Sequence, residues 1–447
     1  MVCIRSIIMS TFTPTDLAIA KHVRSVELSE CELYGEDGFW VADLDIVRRQ
    51  LARWAKELPS VRPFYAVKCN PTPRLLELLA SPPYNTGFDC ATHAELAHIL
   101  SLGVPGDDII YANPCKAPSH LRFAASRSVR TMTFDNVAEL HKIARCSPGA
   151  RCVVRIKLTP TTSGDDDEDI ETPRYDLSLK YGVTVDGARE LLRLARTLDV
   201  AVVGVAFHVG SAQSDVRAYA RYICEARRVW RVAEDTGHDF TLLDIGGGFM
   251  DERFEEAAAV IRTALEAEFG DVANAQVIAE PGRFICAPAF ALATSVVAVR
   301  CESEDAAGRR SVYLSDGIYS NLNAATWPGE LTFPKAVKGR RMLSVEDADI
   351  APVSPTGSDR DSGIEVGDAY GDADGEVGVQ MEGALQEYAV WGPTCDSGDV
   401  ILKSAWLPRG IEVGDWLVFK ELGAYSVCMR SPFNGFATEH KFYYLNE

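Results

Sequence analysis

Pro63-Phe64-Tyr65-Ala66-Val67-Lys68-Cys69-Asn70 puts one lysine at the end of a short apolar run that reads as a buried strand. A lysine in that place either pairs with an acid or does chemistry. Burial disfavours the ammonium form and lowers the pKa, which prepares an amine to form a Schiff base with an aldehyde. Standing alone, Lys68 would more readily be a lysine whose stem packs while its head reaches solvent. The rest of the chain decides between the two.

From about residue 60 to 285, short apolar runs repeatedly precede longer helical patterns, the alternation expected of a parallel sheet or closed barrel. Eight candidate strands fall at 64–68, 87–91, 108–112, 131–134, 152–156, 202–208, 241–245 and 276–280. Eight parallel strands with intervening helices make an α/β fold of the (β/α)8 barrel type, whose active site lies at the C-terminal strand ends. Lys68, Asp89, Asn113, Arg155, His208, Asp244 and Glu280 all sit at or just past such ends. After about Cys286 the pattern changes to alternating runs separated by turns, as at 311–314 and 416–420, which predicts a C-terminal antiparallel β domain. The expected division is 1–41 as an extension joining the β domain, 42–285 as barrel, and 286–447 as β domain.

The whole chain has 447 residues, 47% of them hydrophobic, and a net charge of -19, a balance that argues against nucleic acid or an anionic membrane surface as partner. Residues 345–387 hold 12 acidic residues and one basic one, and with their Gly and Ser content they read as a mobile surface insertion. The acidic run at 164–169 reads the same way. Twelve cysteines at irregular spacing, without a C-x-x-C pair or a Cys/His cluster, fit reduced thiols better than disulfides or a metal site. No apolar run reaches spanning length, and MVCIRSIIMSTF lacks the pattern of a signal peptide, so a cytoplasmic location is expected.

Asp244-Ile245-Gly246-Gly247-Gly248-Phe249 follows an apolar strand, and its glycines let backbone N–H groups approach a phosphate closely. Glu280-Pro281-Gly282-Arg283 closes the next strand with a carboxylate and a guanidinium. An arginine binds phosphate in bidentate fashion, and an acid beside a ring nitrogen keeps that nitrogen protonated. Singly, either would as readily be half of an ion pair. His208, in Phe207-His208-Val209-Gly210-Ser211, could stack on a planar ring or be a core histidine. In Trp391-Gly392-Pro393-Thr394-Cys395-Asp396-Ser397-Gly398-Asp399, a cysteine beside an acid in a turn is poor core material, which favours a substrate-facing role. Tyr425 and Phe433 are either site contacts or core aromatics.

Taken in order, PFYAVKCN, GFDCAT, IIYANPCK, FHVGS, LDIGGGF, AEPGR, SDGIY, WGPTCDSGD and PFNGF resemble the motifs of the eukaryotic ornithine decarboxylase family, from about Gly35 onward. The resemblance implies an alanine-racemase-like barrel with a C-terminal β domain, pyridoxal 5'-phosphate as cofactor, and removal of CO2 from an L-amino acid to give its primary amine. Lys68 would hold the cofactor as a Schiff base, His208 would stack on its ring, and Glu280 would pair with the ring nitrogen. Asp89 and Arg155 would support ring and lysine, while Ser211, Gly247, Gly248, Arg283 and Tyr425 would bind the phosphate. Cys395 would reach the site from a second subunit and manage the proton at the reacting carbon, so a homodimer with shared sites is implied. The family also contains catalytically dead relatives that bind a regulatory inhibitor protein. Lys68, His208, Glu280, Arg283 and Cys395 are all present, which favours the enzyme.

The departures lie in the substrate pocket. The family's aspartate for a distal amino group aligns with Pro328, leaving Asp396, with Glu330 two residues on. A residue that is usually large and apolar is reduced to Gly398. Losing a charged partner for a buried ammonium costs roughly 3–5 kcal/mol, enough to remove a preference for ornithine. A wider pocket beside Trp327, with Phe433, predicts an aromatic substrate such as L-tryptophan. The alternative is that Glu330 replaces the missing carboxylate and the substrate is L-ornithine or L-lysine.

Overall fold

A computed structural model describes residues 13–25, 37–84, 86–158, 177–272, 275–301, 310–326, 331–332, 334–338, 384–436 and 439–446. Trp327, Glu330, the run at 164–169 and nearly all of the acidic stretch 345–387 lie outside the described residues.

A first strand, β1 (Phe39–Asp43), belongs with the β unit described below, and Asp43 caps the helix Leu44–Glu57 by accepting the Asp45 N–H at 3.0 Å. Eight strands then close a parallel barrel: β2 (Val61–Ala66), β3 (Gly87–Cys90), β4 (Ile109–Tyr111), β5 (Thr131–Phe134), β6 (Arg151–Arg155), β7 (Ala201–Ala206), β8 (Leu242–Asp244) and β9 (Gln276–Ala279). Closure comes from β2 lying parallel to β9, with Val61 opposite Val277 and Pro63 opposite Ala279. All eight expected strands form; β5 matches its expected span, and the other seven are shorter than or offset from theirs by one to three residues. Val67–Cys69, expected at the end of a strand, instead turns in a single 3₁₀ turn that presents Lys68 at the strand end. Phe64, Ile110, Ala112, Val153, Ala206, Leu242 and Ile278 form one buried cluster fed by six of the strands, the filled interior typical of such a barrel.

The helices after each strand carry one apolar stripe, as the 3.6-residue period requires. Thr92, Asn136 and Thr184 each cap a helix N-terminus by accepting a backbone N–H two or three positions into it. Trp54, from the helix before the barrel, packs among Phe249, Phe254 and Phe284 and donates its indole N–H to the Val61 carbonyl at 2.8 Å. Among the described residues, no helix is long and apolar enough to cross a membrane.

The remaining strands are β10 (Phe290–Cys301), β11 (Arg310–Leu314), β12 (Lys335–Val337), β13 (Leu385–Trp391), β14 (Val400–Pro408), β15 (Trp416–Phe419) and β16 (Lys441–Leu445). They form a sheet in the order β12-β15-β10-β11-β13-β14, with β1 paired to both β10 and β16. The expected all-antiparallel pattern needs one correction, since β11 and β13 run parallel, with Arg310 opposite Tyr388. Parallel neighbours need a long connection, and the chain between Leu314 and Leu385 provides one. Ile19 and Val23 of the helix Pro14–Ser25 join Phe39, Val41, Ala291, Ala293, Trp416, Val418 and Leu445 in the core of this unit.

By contact clustering, one compact unit holds residues 1–42, 291–420 and 431–445, and the other holds 43–290 with 421–430 and 446–447. The segment 421–430, expected in the β domain, packs with the barrel. Asn70 donates its side-chain N–H to the Gly423 carbonyl at 2.8 Å, the Tyr425 N–H reaches the Cys69 carbonyl at 2.9 Å, and the Leu422 N–H reaches Phe290 at 3.1 Å.

Candidate active site

Lys68 Nζ hydrogen-bonds Asp89 Oδ2, while Asp89 Oδ1 is buried with no partner. Asp89 is wholly buried in β3, whereas the lysine side chain is 38% exposed, so the amine is open on one side and anchored on the other. Burial opposes the ammonium, but the charges of Asp89 and Glu280 outweigh it and hold Lys68 above the ordinary lysine range. The expected lowering of its pKa is therefore corrected. The sequence shows the apolar run around Lys68 but not how many carboxylates converge on it.

Lys68, His208, Ser211, Gly247, Gly248, Glu280, Arg283 and Tyr425 line one concavity, together with Ala66, Phe249 and Gly282. Four separate strand ends, those of β2, β7, β8 and β9, and the 421–430 segment supply these groups. Arg155 is not among these lining residues; its guanidinium lies 5.2 Å from the Tyr181 ring centroid, and its charge is felt at His208 and Glu280.

His208 is pushed well below the ordinary histidine value by burial first, then by the charges of Arg155 and Lys68. The neutral ring accepts the Gly210 N–H on Nδ1 at 3.0 Å, which fixes its plane. Beside it runs the glycine turn. Gly248 has φ +108°, in the region that favours glycine, and a Cβ there would meet Val209 Cγ2 at 2.5 Å. At Gly247 a Cβ would meet both His208 Nε2 and the Glu280 carbonyl at 2.8 Å, so only a bare backbone can pass between histidine and acid. Tyr219, unnoticed in the sequence, donates its hydroxyl to the Gly247 carbonyl at 3.1 Å from the helix Arg217–Asp235. Tyr425 holds φ +54°, a strained value for a side chain of its size, with the Arg283 guanidinium 5.3 Å from its ring centroid.

A second cluster lies wholly within the β unit. Tyr319 donates its hydroxyl to Asp396 Oδ2, its carbonyl accepts both the N–H and the hydroxyl of Ser431 at 2.9 Å, and its ring packs on Phe433 at 4.7 Å. The Gly398 N–H reaches Asp396 Oδ1 at 3.0 Å. The Tyr319 hydrogen bond first, then that of Gly398, holds the Asp396 carboxyl below its ordinary value. Cys395 is exposed, and its N–H donates to Asn434 Oδ1 at 3.0 Å. Asp399, one of the residues that the sequence reading left without a role, is buried and accepts from Ile318 N–H and Thr394 N–H, both at 3.0 Å, and from the Thr394 hydroxyl at 2.7 Å. It staples the loop of Tyr319 to the loop of Cys395. A Cβ at Gly392 would fall 2.2 Å from its carboxylate, which explains that glycine.

Residues 44–287 match the family described as pyridoxal-dependent decarboxylase, pyridoxal binding domain. The ornithine decarboxylase of Schizosaccharomyces pombe is 40% identical over 93% of this chain and 86% of its own length. Antizyme inhibitor 2 of Xenopus laevis is 38% identical over 92% and 81%. Among solved structures, the Paramecium bursaria Chlorella virus arginine decarboxylase bound to agmatine superposes with a TM-score of 0.74 at 28% identity, covering 92% of this chain and 97% of that one. A lysine/ornithine decarboxylase from Vibrio vulnificus complexed with cadaverine gives 0.73 at 25%, covering 98% and 100%. The decarboxylases among these are named for cationic amino acids, so the expectation of an aromatic substrate is withdrawn. Physically, an Asp396 carboxyl held below its ordinary value by Tyr319 and Gly398 suits a cationic group better than an aromatic ring.

The residues fit pyridoxal phosphate on their own geometry. The glycine turn leaves space that any Cβ would fill, and Asp89 and Glu280 bracket the amine that the aldehyde would meet. With its barrel, this lysine and relatives matching it almost end to end, the chain belongs to the ornithine decarboxylase family of pyridoxal-phosphate-dependent amino-acid decarboxylases.

Proposed function

We propose that the chain decarboxylates L-ornithine, or a basic amino acid one methylene away from it, to the corresponding diamine. The observation that carries this reading is the anionic Asp396 beside Cys395, with an orienting hydrogen bond on each oxygen. Its support from outside the chain is the 40% identity to an ornithine decarboxylase.

Pyridoxal phosphate, when bound, supplies an electrophilic aldehyde and a ring that accepts the electron pair left behind by CO2. Everything else falls to the protein. Lys68 would hold the aldehyde, and Asp89, hydrogen-bonded to Nζ, would fix the position of its amine. His208 stays neutral and offers a flat, uncharged face. Glu280 would meet the ring nitrogen, and Ser211, Arg283, Tyr425 and the N–H groups of Gly247 and Gly248 would hold the phosphate. Cys395, contributed by a second copy of the chain, returns a proton to the carbon that has lost its carboxylate. A cytosolic homodimer completes this proposal.

A substrate panel of ornithine, lysine, arginine, tryptophan, tyrosine and phenylalanine tests it. Ornithine should exceed every aromatic acid by at least about 10²-fold in kcat/KM, and an aromatic winner overturns the reading. Sharing of sites is tested by mixing equal amounts of Lys68→Ala and Cys395→Ala chains. Random pairing should restore about one quarter of the unmutated activity, because half the dimers are mixed and each has one intact site. No recovery after subunit exchange rejects the shared site. A second reading, a binding protein without catalysis, draws on the likeness to antizyme inhibitor 2. It predicts folded protein with no near-visible absorbance from a lysine-bound cofactor.

A further inference from the structure

Asp316, Asn321 and His440 form a buried polar knot within the β unit, outside both clusters described above. Asp316 Oδ1 accepts the backbone N–H of Gly317 at 2.7 Å and that of Asn321 at 3.0 Å, and its Oδ2 accepts the Asn321 side-chain N–H at 2.8 Å. With donors already on both oxygens, the carboxylate is an acceptor throughout, so in its 2.6 Å contact with His440 Nε2 the histidine donates. The His440 and Asp316 side chains are almost wholly buried, at 1% and 0% exposure. The other ring nitrogen, Nδ1, is buried without a partner. A site that needed only volume would be filled at less cost by an apolar side chain, so the Nε2 bond is what a histidine adds here.

What that bond holds is the turn from Asp316 to Asn321. Tyr319 sits within it, the Ser320 and Leu322 N–H groups both reach the Gly317 carbonyl at 3.1 Å, and the Tyr319 hydroxyl is the donor that orients Asp396. His440 follows the stretch that supplies Ser431 to the Tyr319 carbonyl, Phe433 to its ring and Asn434 to the Cys395 N–H. Gly38 closes another side, since a Cβ there would stand 3.1 Å from His440 Nε2 and leaves the ring little room to shift. We propose that His440, through Asp316 and the Tyr319 turn, fixes how far Asp396 reaches and so which length of basic side chain is accepted. His440 is then a positioning residue that acts through Asp316. The inference rests on the basic-substrate reading above and deepens it from a charge class to a chain length.

The test compares kcat/KM for ornithine with that for lysine in the unmutated holoenzyme and in His440→Gln, His440→Asn and His440→Leu. Hydrogen exchange of the Gly317 and Asn321 N–H groups is followed in the same chains. Gln places an amide N–H the same number of bonds from Cβ as Nε2, whereas Asn falls one bond short. A pocket that counts methylenes separates the two substrates by about tenfold or more. We expect that preference in the unmutated chain and in His440→Gln. In His440→Asn and His440→Leu it should collapse to within about threefold, with kcat for the favoured substrate changed by less than about threefold. The ratio is indifferent to the amount of folded enzyme, so a general loss of stability would not move it. If His440→Leu fails to fold, Gln against Asn still decides. A ratio unchanged in His440→Asn, or no preference in the unmutated chain, overturns the role of His440 and leaves decarboxylation of basic amino acids standing. An aromatic winner in the unmutated chain overturns that function instead, and exchange then judges the anchor alone. Faster exchange in His440→Asn than in His440→Gln would uphold it, and equal exchange would remove it.

Discussion

The barrel's strand-end cluster and the loop cluster around Tyr319 both hold acids, but they hold them differently. Asp89, Asp244 and Glu280 are buried; burial first and neighbouring carboxylates after it push Asp244 and Glu280 upward, and the charges of Asp89 and Glu280 raise Lys68. Asp396 is partly exposed, and hydrogen bonds from Tyr319 and then Gly398 lower it against a smaller upward push from burial. Chemistry required for every substrate of the family is built where charges are strong and fixed. Choice among substrates is built on loops, where a few hydrogen bonds orient an acid at little cost in desolvation. Substitutions in the first cluster should therefore cost turnover, and those in the second should cost affinity.

The largest expected effect is at Lys68. Lys68→Ala should reduce kcat by more than about 10³-fold and abolish the near-visible absorbance of lysine-bound cofactor, with the circular dichroism spectrum of the fold retained. A loss below tenfold would break the division between the clusters at its strongest point. Next comes Cys395→Ala, expected to slow decarboxylation about 10²-fold and to release an aldehyde in place of part of the amine, the substrate's nitrogen then staying on the cofactor in its amine form. On the proposed function, Cys395 is the one member of the loop cluster expected to affect turnover, because a proton must be delivered at a defined carbon. Unchanged rate and product ratio in that variant would reject its proton-handling role.

The same contrast decides what could be read from the sequence. Strand ends are legible because a polar or charged residue closing an apolar run is unusual, seven of the eight expected strands have one at or beside their end, and the barrel's topology then gathers those ends on one side. Lys68, His208, Glu280 and Arg283 were identifiable on that ground. Their protonation was not, since it depends on how many charges converge from strands far apart in the chain, and the lysine's direction of shift came out reversed. Tyr219 carries no local signal at all, being one aromatic in an amphipathic helix. In the loops, Asp399 and Tyr319 lay within noticed motifs, but which loop each one ties to which depends on tertiary hydrogen bonds without periodicity. The parallel pairing of β11 with β13 was missed for a related reason, because alternation marks a strand without giving its direction.

The third prediction sharpens the affinity side. Asp396→Asn should raise KM for ornithine about tenfold while changing kcat by less than about threefold, since it removes a charge-assisted contact made equally in ground and transition states. Glu in the same place should recover part of the loss. A fall in kcat with KM unchanged would instead move Asp396 into the turnover class.

The smallest effect belongs to Tyr319→Phe, and it separates orientation from charge. The substitution keeps the ring that packs on Phe433 and the carbonyl that accepts from Ser431, and it deletes only the hydroxyl bonded to Asp396. Asp396 remains an anion with the Gly398 N–H on its other oxygen. KM for ornithine should rise about threefold, the loss of one hydrogen bond at an exposed carboxylate, with kcat and the product ratio unaltered. The hydroxyl also holds Asp396 below its ordinary value, so without it the carboxyl should protonate at a higher pH. The acid-side rise in KM should accordingly begin at a higher pH in Tyr319→Phe than in the unmutated chain, which kcat/KM profiles from pH 4 to 8 would reveal. Profiles that superimpose would mean that Tyr319 supports the loop and leaves the acid alone, and specificity would then have to be sought in the rest of the pocket.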